Sequence, residues 1–251
     1  MRRLKFPKTQ FARFSGVLIA ALALALGSAP CALFAQSAGN NAKLKIGVIG
    51  SGNIGGTVGA LWVKAGHQVM FSSRHPEELK PLMDRLGPLA RAGTVREALT
   101  FGEVIFIGVP YGAYPQIGKD YSSEFKGKIL LDAGNAVLRR DGEVANEARE
   151  IGIGKTSVKY LPGARIVRAF NTMNFRRLES NANRPGAPMA IPIAGDDKEA
   201  ITVAEKLVRD AGFDPVLIGN LESATLFAQG GPLYGQDITA REMDQRLKTL
   251  R

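Results

Sequence analysis

From Lys43 onward, short apolar runs alternate with segments of helical period. The runs Lys45–Ile49, Gln68–Ser72, Val104–Val109, Ile129–Asp132, Ile166–Phe170, Ala190–Ala194 and Pro215–Ile218 are rich in valine and isoleucine, and most lack polar alternation. Strands buried on both faces read this way. Between the first two runs, Ile54 to Ala65 places Val58, Leu61, Trp62 and Ala65 on one face of a predicted helix. A second helix is expected from a cap at Asp196 or Asp197 to Asp210, closed by Gly212. A third amphipathic stretch runs from Asp237 to Leu250. This alternation predicts an α/β fold, a Rossmann-type doubly wound parallel sheet with helices on both faces and a small C-terminal α/β portion. The polar segment 171–188, NTMNFRRLESNANRPGAP, reads as a long loop. Such a loop is either functional or a surface excursion.

The first 40 residues follow another pattern. Arg2, Arg3, Lys5 and Lys8 precede an apolar run from Val17 to Leu26, and GSAPCALFAQS supplies small residues. That order is a secretory signal, with cleavage expected after Ala35 and export to the periplasm. The apolar run falls short of the roughly 20 residues a membrane span needs, so membrane contact is expected only during export. The Arg2-Arg3 pair leaves a twin-arginine route open, in which the protein crosses already folded. Cys31 is the single cysteine and precedes the cleavage point, so the mature chain is expected to lack disulfides, a thiolate nucleophile and Cys-ligated metal. The expected divisions are a signal and linker over 1–40, a nucleotide-binding domain over 41–165 and a smaller portion over 166–251 that completes an acceptor site.

Charge adds little. Five of the 33 basic residues and none of the 23 acidic ones lie in the first 40, so the net charge of +10 falls to +5 downstream. No basic run interleaved with aromatics follows, and no nucleic-acid partner is expected.

The candidate chemistry starts at GSGNIGG, residues 50–56, directly behind the first strand. Gly50, Gly52 and Gly55 form G-x-G-x-x-G in the required context of strand, turn, helix and second strand. Gly50 permits the tight turn, Gly52 lets the backbone approach a pyrophosphate, and Gly55 lets helix and strand pack closely. Phosphate would sit on the free N–H groups of the helix N-terminus. The second strand then selects the dinucleotide. NAD-binding folds place an acid there for the ribose 2′-hydroxyl. Here Ser72, Ser73 and Arg74 occupy that end and the first acid is Glu77. A hydroxyl and a guanidinium bind a 2′-phosphate through charge-assisted hydrogen bonds, which predicts NADP(H).

The run ending at Val109-Pro110 turns where nicotinamide is expected, and Tyr111 or Tyr114 could stack on a ring there or belong to the core. LLDAGNAV, 130–137, ends another strand beside the same crevice. His67, between helix and strand, is expected to be structural, and His75 is near the 2′-phosphate corner. No catalytic side chain and no metal ligands stand out. Hydride exchange between two redox rings needs positioning and water exclusion without an obligatory side-chain acid. Lys155, Lys159 and the tyrosines stay open as proton donors for a ketone or imine.

Three segments together, KIGVIGSGNIGGTVGALWVKAGHQVMFSSRHPEEL, AFNTMNF and GGPLYG, resemble the coenzyme F-420-dependent NADP oxidoreductases and their bacterial relatives over nearly all of residues 43–236. The resemblance implies direct hydride transfer between NADP(H) and a deazaflavin or flavin as co-substrate. It implies that Ser51, Gly52, Asn53 and Ile54 contact the pyrophosphate and Ser73 and Arg74 the 2′-phosphate. Val109 and Pro110 would border the nicotinamide. Asn171, Thr172, Met173 and the Gly230–Tyr234 loop, with Gly231, Pro232 and Leu233, would shape the acceptor pocket, alongside Tyr111. Archaeal members carry a lysine four residues after the arginine, where this chain has Glu78. The expected partners are a small-molecule redox acceptor and a second copy of the chain in a homodimer. A small-substrate imine or ketone reductase and a non-catalytic NADP sensor are the competing readings.

Overall fold

A computed structural model describes residues 42–250. The expected targeting segment, with Cys31 and the Ala35 cleavage point, lies outside the described residues. Strand β1 (Lys45–Ile49) leads through the glycine turn into helix α1 (Asn53–Lys64) and back to β2 (Gln68–Ser72). A 3-10 turn (Pro76–Leu79) and α2 (Lys80–Leu86) precede β3 (Ala90–Gly93), and α3 (Val95–Phe101) precedes β4 (Val104–Ile107). Helices α4 (Tyr114–Asp120) and α5 (Ser122–Phe125) connect to β5 (Ile129–Asp132). Helices α6 (Leu138–Asp141), α7 (Glu143–Glu150) and α8 (Ile153–Tyr160) lead to β6 (Arg165–Arg168). The chain finishes with α9 (Phe175–Asn181), β7 (Ala190–Gly195), α10 (Lys198–Asp210), β8 (Asp214–Gly219) and α11 (Ala240–Leu250).

All eight strands form one sheet in the order β3-β2-β1-β4-β5-β6-β7-β8. Every pairing is parallel except β6 with β7. The order reverses between β1 and β4, so the C-terminal ends of those two strands open a crevice, the usual ligand position of such a sheet. The sheet continues across the 165/166 boundary, and residues 41–251 form one compact unit.

The apolar runs are explained by two cores, one on each face. Val104 and Phe106 of β4 and Leu131 of β5 join one core, while Ile105, Ile107 and Leu130 join the other. Alternate residues of a strand point to opposite faces, so a sheet covered on both sides needs apolar residues at every position. Each such side chain contributes about 1.5–3 kcal/mol on burial. On the α1 face, Trp62 meets Phe106 and Phe170 edge-on, with ring centroids 5.2 and 5.8 Å away. Its indole N–H donates to the Leu207 carbonyl at 2.8 Å, tying α1 to α10.

Three elements differ from expectation. Strand β3, ARAG, is a four-residue strand at the edge of the sheet, with an exposed arginine and little apolar content. The polar segment 171–188 contains α9, started by Asn174, whose side chain accepts from the Arg177 N–H at 3.0 Å. The run expected to end at Phe170 stops pairing at Arg168, and Phe170 takes φ 62°.

His67 is structural, fully enclosed below β1 and β2. Its Nδ1 accepts from the Leu44 N–H at 3.0 Å, and Nε2 lies 2.8 Å from Asp210 Oδ2. An Nδ1 that accepts carries no proton, so the folded ring is neutral with its hydrogen on Nε2. Burial lowers its pKa, against the opposing pull of Asp210. A depressed value in the folded state contributes stability above the unfolded pKa near 6.5, and this is lost as pH falls through the folded value. In urea titrations the native chain should therefore lose stability between neutral pH and pH 5. The loss should shrink in His67→Gln, whose amide can replace both bonds without titrating. Equal losses in the two proteins would contradict the assignment.

Candidate functional site at the carboxyl edge of the sheet

The turn between β1 and α1 is determined by what its glycines meet. A Cβ on Gly50 would lie 2.4 Å from Val109 Cγ1 at φ +89°, and one on Gly55 would lie 1.9 Å from the Gly50 carbonyl oxygen. Both therefore serve packing. Gly52 is different: its φ is −70°, and a Cβ there would meet nothing within 4 Å. Neither backbone nor packing demands a glycine at this point, and the missing side chain leaves open space in front of the turn. Gly52 is also the N-cap of α1, with no side chain capping the helix and no acid in its first turn. The first N–H groups of α1 lack intrahelical partners by geometry, and the helix dipole favours negative charge there.

Ser51 fixes the turn to the neighbouring strand. Its N–H and its hydroxyl both reach the Ser72 carbonyl, at 3.3 and 2.8 Å. Ser72 itself is fully buried, and its hydroxyl has no partner. The expected phosphate contact of Ser72 is corrected accordingly: the enclosed hydroxyl cannot reach a ligand. Ser73 and the exposed Arg74 leave the same sheet edge beside the turn, and Ser73 Oγ accepts from the His75 N–H at 3.0 Å.

A cleft of ≈ 450 Å³ opens at the N-terminus of α1, and Ser51, Ser73 and Arg74 do not line it. It brings together Gly52, Asn53 and Ile54, Val109 and Pro110, five expected cofactor positions, with Met173 and Tyr234 from the expected acceptor segments. Other acceptor positions fall elsewhere. Tyr111 is fully buried, and its hydroxyl donates to the Ile153 carbonyl at 2.8 Å. Asn171, Thr172 and Leu233 are no more than 2% exposed. Pro232 is exposed on the surface, and Gly231 lines a neighbouring cavity of ≈ 530 Å³. The cleft is also lined by Asn135, Arg140, Phe175 and Gln229, which were not among the expected positions. Asn135 was within reach of sequence reasoning, because it follows β5 at the edge where ligands bind. Tyr234 ends the Gly230–Tyr234 loop that the resemblance implied, whereas Gln229 carries no comparable local signal.

Asn135 joins three segments of the wall. Its amide donates to the Asn171 carbonyl at 2.6 Å, and its Oδ1 accepts from the Gln229 N–H at 3.1 Å. Its own carbonyl accepts from Arg140 at 2.7 Å. Arg140 is gripped in turn by Asp141 through two bonds of 2.8 Å. Burial works against the Asp141 charge, but Arg140 and the Val137 and Gly112 N–H groups outweigh it and hold the carboxyl below its ordinary pKa.

Beneath this floor lies a buried polar network. Asp132, at the end of β5, and Arg168, at the end of β6, are both fully enclosed and meet at 2.6 Å. Asp132 also accepts from the Tyr114 hydroxyl and the Ser157 hydroxyl, both at 2.6 Å, and from the Gly134 N–H at 2.8 Å. Arg168 donates onward to the Gly134 carbonyl. Burial opposes the Arg168 charge, and Asp132 more than compensates, so its pKa rises. Burial, with the Asp132 charge added, pushes the Tyr111 and Tyr114 hydroxyls well above the ordinary phenol range. Both hydroxyls are engaged within the network, and neither tyrosine lines the cleft.

Residues 45–136 match the family described as NADP oxidoreductase, coenzyme F420-dependent. The chain is 28% identical over 184 residues to the metalloreductase STEAP3 of Rattus norvegicus, covering 72% of this chain and 35% of that protein. It is 25% identical over 186 residues to the human metalloreductase STEAP2, covering 72% and 34%. The chain thus spans about a third of the length of these relatives. A hypothetical protein from Sinorhizobium meliloti superposes with a TM-score of 0.67 at 25% identity, covering 83% of this chain and 98% of that one. A protein from Arthrobacter sp., provisionally described as an F420-dependent NADP reductase, gives 0.62 at 21% identity, covering 72% and 87%.

The buried pair yields a direct test. Arg168→Met leaves the enclosed Asp132 without its counter-ion. Denaturant unfolding should show a loss of about 3–5 kcal/mol. A loss below about 1 kcal/mol, the range of exposed pairs, would mean that the charges are not held together out of water.

Proposed function

Because residues 45–136 match the family described as NADP oxidoreductase, coenzyme F420-dependent, we propose that the protein passes a hydride between NADP(H) and a flat redox ring, a deazaflavin or flavin, seated in the same cleft. One observation carries the cofactor half of this reading. Gly52 lacks a side chain that neither its backbone angle nor its neighbours forbid, at the uncapped N-terminus of a helix. The space fits a pyrophosphate. Asn53 and Ile54 present N–H groups to it, and Ser51 keeps the turn from shifting. Ser73 and Arg74, at the end of β2 where an acid would select NAD, supply a hydroxyl and a guanidinium suited to a 2′-phosphate.

Bound NADPH would supply the hydride. The protein supplies position and dryness. Val109 and Pro110 form one wall of the cleft and Met173 another, so apolar side chains border the reacting region and exclude water. Asn135 and Arg140 give the floor its hydrogen-bonding groups. A flavin as acceptor is also consistent with the rat relative being a metalloreductase. A hydride carries two electrons, whereas a metal ion commonly takes one, and a flavin can divide the pair.

The second reading, reduction of an imine or ketone, is favoured by one residue. Tyr234 lines the cleft and carries a hydroxyl that could donate a proton. Tyr234→Phe separates the two. Turnover with ring acceptors should stay within about 3-fold of the native value, whereas loss of an acid catalyst costs about 100-fold or more. A loss of that size with a ring acceptor would favour the second reading.

Calorimetric titration tests the cofactor half. Gly52→Ala should weaken NADPH and NADH alike, by at least about 10-fold, and cost at most about 1 kcal/mol of stability at the cap. Arg74→Ala should weaken NADPH by at least about 10-fold and leave NADH nearly unchanged. If Arg74→Ala reduces both affinities equally, the 2′-phosphate assignment fails.

A further inference from the structure

Phe170 adopts φ 62°, in the left-handed region, which a bulky residue rarely enters without something to hold it there. What holds it is visible. The side chain is fully buried, edge-on to Trp62, Phe106 and Phe213 with centroids 5.8, 6.0 and 6.1 Å away. Trp62 is itself anchored to the Leu207 carbonyl. The backbone reversal at Phe170 takes the chain off the end of β6 and across the carboxyl edge of the sheet. The next residues build the cleft wall. The Asn171 carbonyl receives the Asn135 amide, the Thr172 carbonyl accepts from the Gly235 N–H at 2.9 Å, and Met173 lines the cleft.

We propose that Phe170 is a positioning residue: its strained backbone, held by the aromatic cluster, sets the wall Asn171–Met173 against the glycine turn and thereby the spacing between dinucleotide and acceptor. A glycine would allow the same angle but would not enforce it. A smaller apolar residue would fill part of the space but lose the ring edges that balance the strain. Phe170 touches neither ligand and acts through Met173 and the Asn135–Asn171 pair. The effect on catalysis rests on the hydride-transfer reading above; the effect on the wall does not.

Amide hydrogen exchange on the ligand-free chain tests the wall. The reporters are the Gly235 N–H, bonded to Thr172, and the Gln229 N–H, bonded to Asn135. The control is the Ala169 N–H, bonded to Asp132 at the end of β5. In Phe170→Leu, exchange at Gly235 and Gln229 should quicken by roughly 10-fold or more, with Ala169 within roughly 2-fold of native. A role in packing alone would raise all three together, and that result, or no change at any of them, overturns the proposal. Phe170→Gly should show the same pattern more strongly; if it fails to fold, Phe170→Leu decides alone. With NADPH and a flavin, Phe170→Leu should keep the KM for NADPH within about 3-fold while kcat falls about 10-fold. Native protein that gives no heat with NADPH would sink the dinucleotide reading and leave the exchange result to decide the hinge. An unchanged kcat beside quickened exchange would overturn the catalytic part of the proposal.

Discussion

The ion pair between Asp132 and Arg168 is the constraint on which the site is built. Two charges without access to water are tolerated only if each finds its partner and the remaining lone pairs are filled. Asp132 meets that demand by collecting bonds from β6, from α4 through Tyr114 and from α8 through Ser157. It therefore gathers elements far apart in the chain around the carboxyl ends of β5 and β6. Gly134 is caught between the two charges through both its N–H and its carbonyl. A Cβ at Gly134 would lie 2.3 Å from the Tyr114 hydroxyl, so the loop can only lie flat upon the network. Asn135, the next residue, is delivered to the cleft by that geometry.

The fold was legible in the sequence wherever the constraint was local. Strands β1, β2 and β5 fall where the apolar runs place them, because a strand covered on both faces must be apolar throughout. Helix α10 starts at its Asp197 cap. Strand β3 was illegible because it is a four-residue strand at the sheet edge with little apolar content. The reversal of β7 also left no trace, since parallel and antiparallel neighbours buried on both faces draw on the same residues.

The site divides along the same line. The glycine turn and the Ser73-Arg74 corner are each a run of consecutive residues with a recognisable spacing, even though Gly50 owes part of its steric demand to Val109. The cleft also draws on 135, 140, 173–175, 229 and 234, and only the tertiary fold determines which of these side chains face the opening. Tyr111 shows the difficulty. It follows the strand-ending proline, just where a ring would be stacked, yet its partners Ile153 and Ser157 come from a helix some 40 residues onward. Gln229, by contrast, reaches the cleft from a C-terminal loop with no periodicity to announce it, and Tyr234 beside it was signalled only by the GGPLYG motif.

The clamp made by Ser51 has a consequence for how this surface could change over time. Ser51 grips the Ser72 carbonyl, a backbone atom that every residue type presents. Side chains beyond it, at Ser73 and Arg74, could therefore be exchanged without loosening the glycine turn. On the dinucleotide reading proposed above, the preference between the two nicotinamide dinucleotides would be a modular trait, confined to a two-residue corner and separable in evolution or engineering from the ability to bind either one.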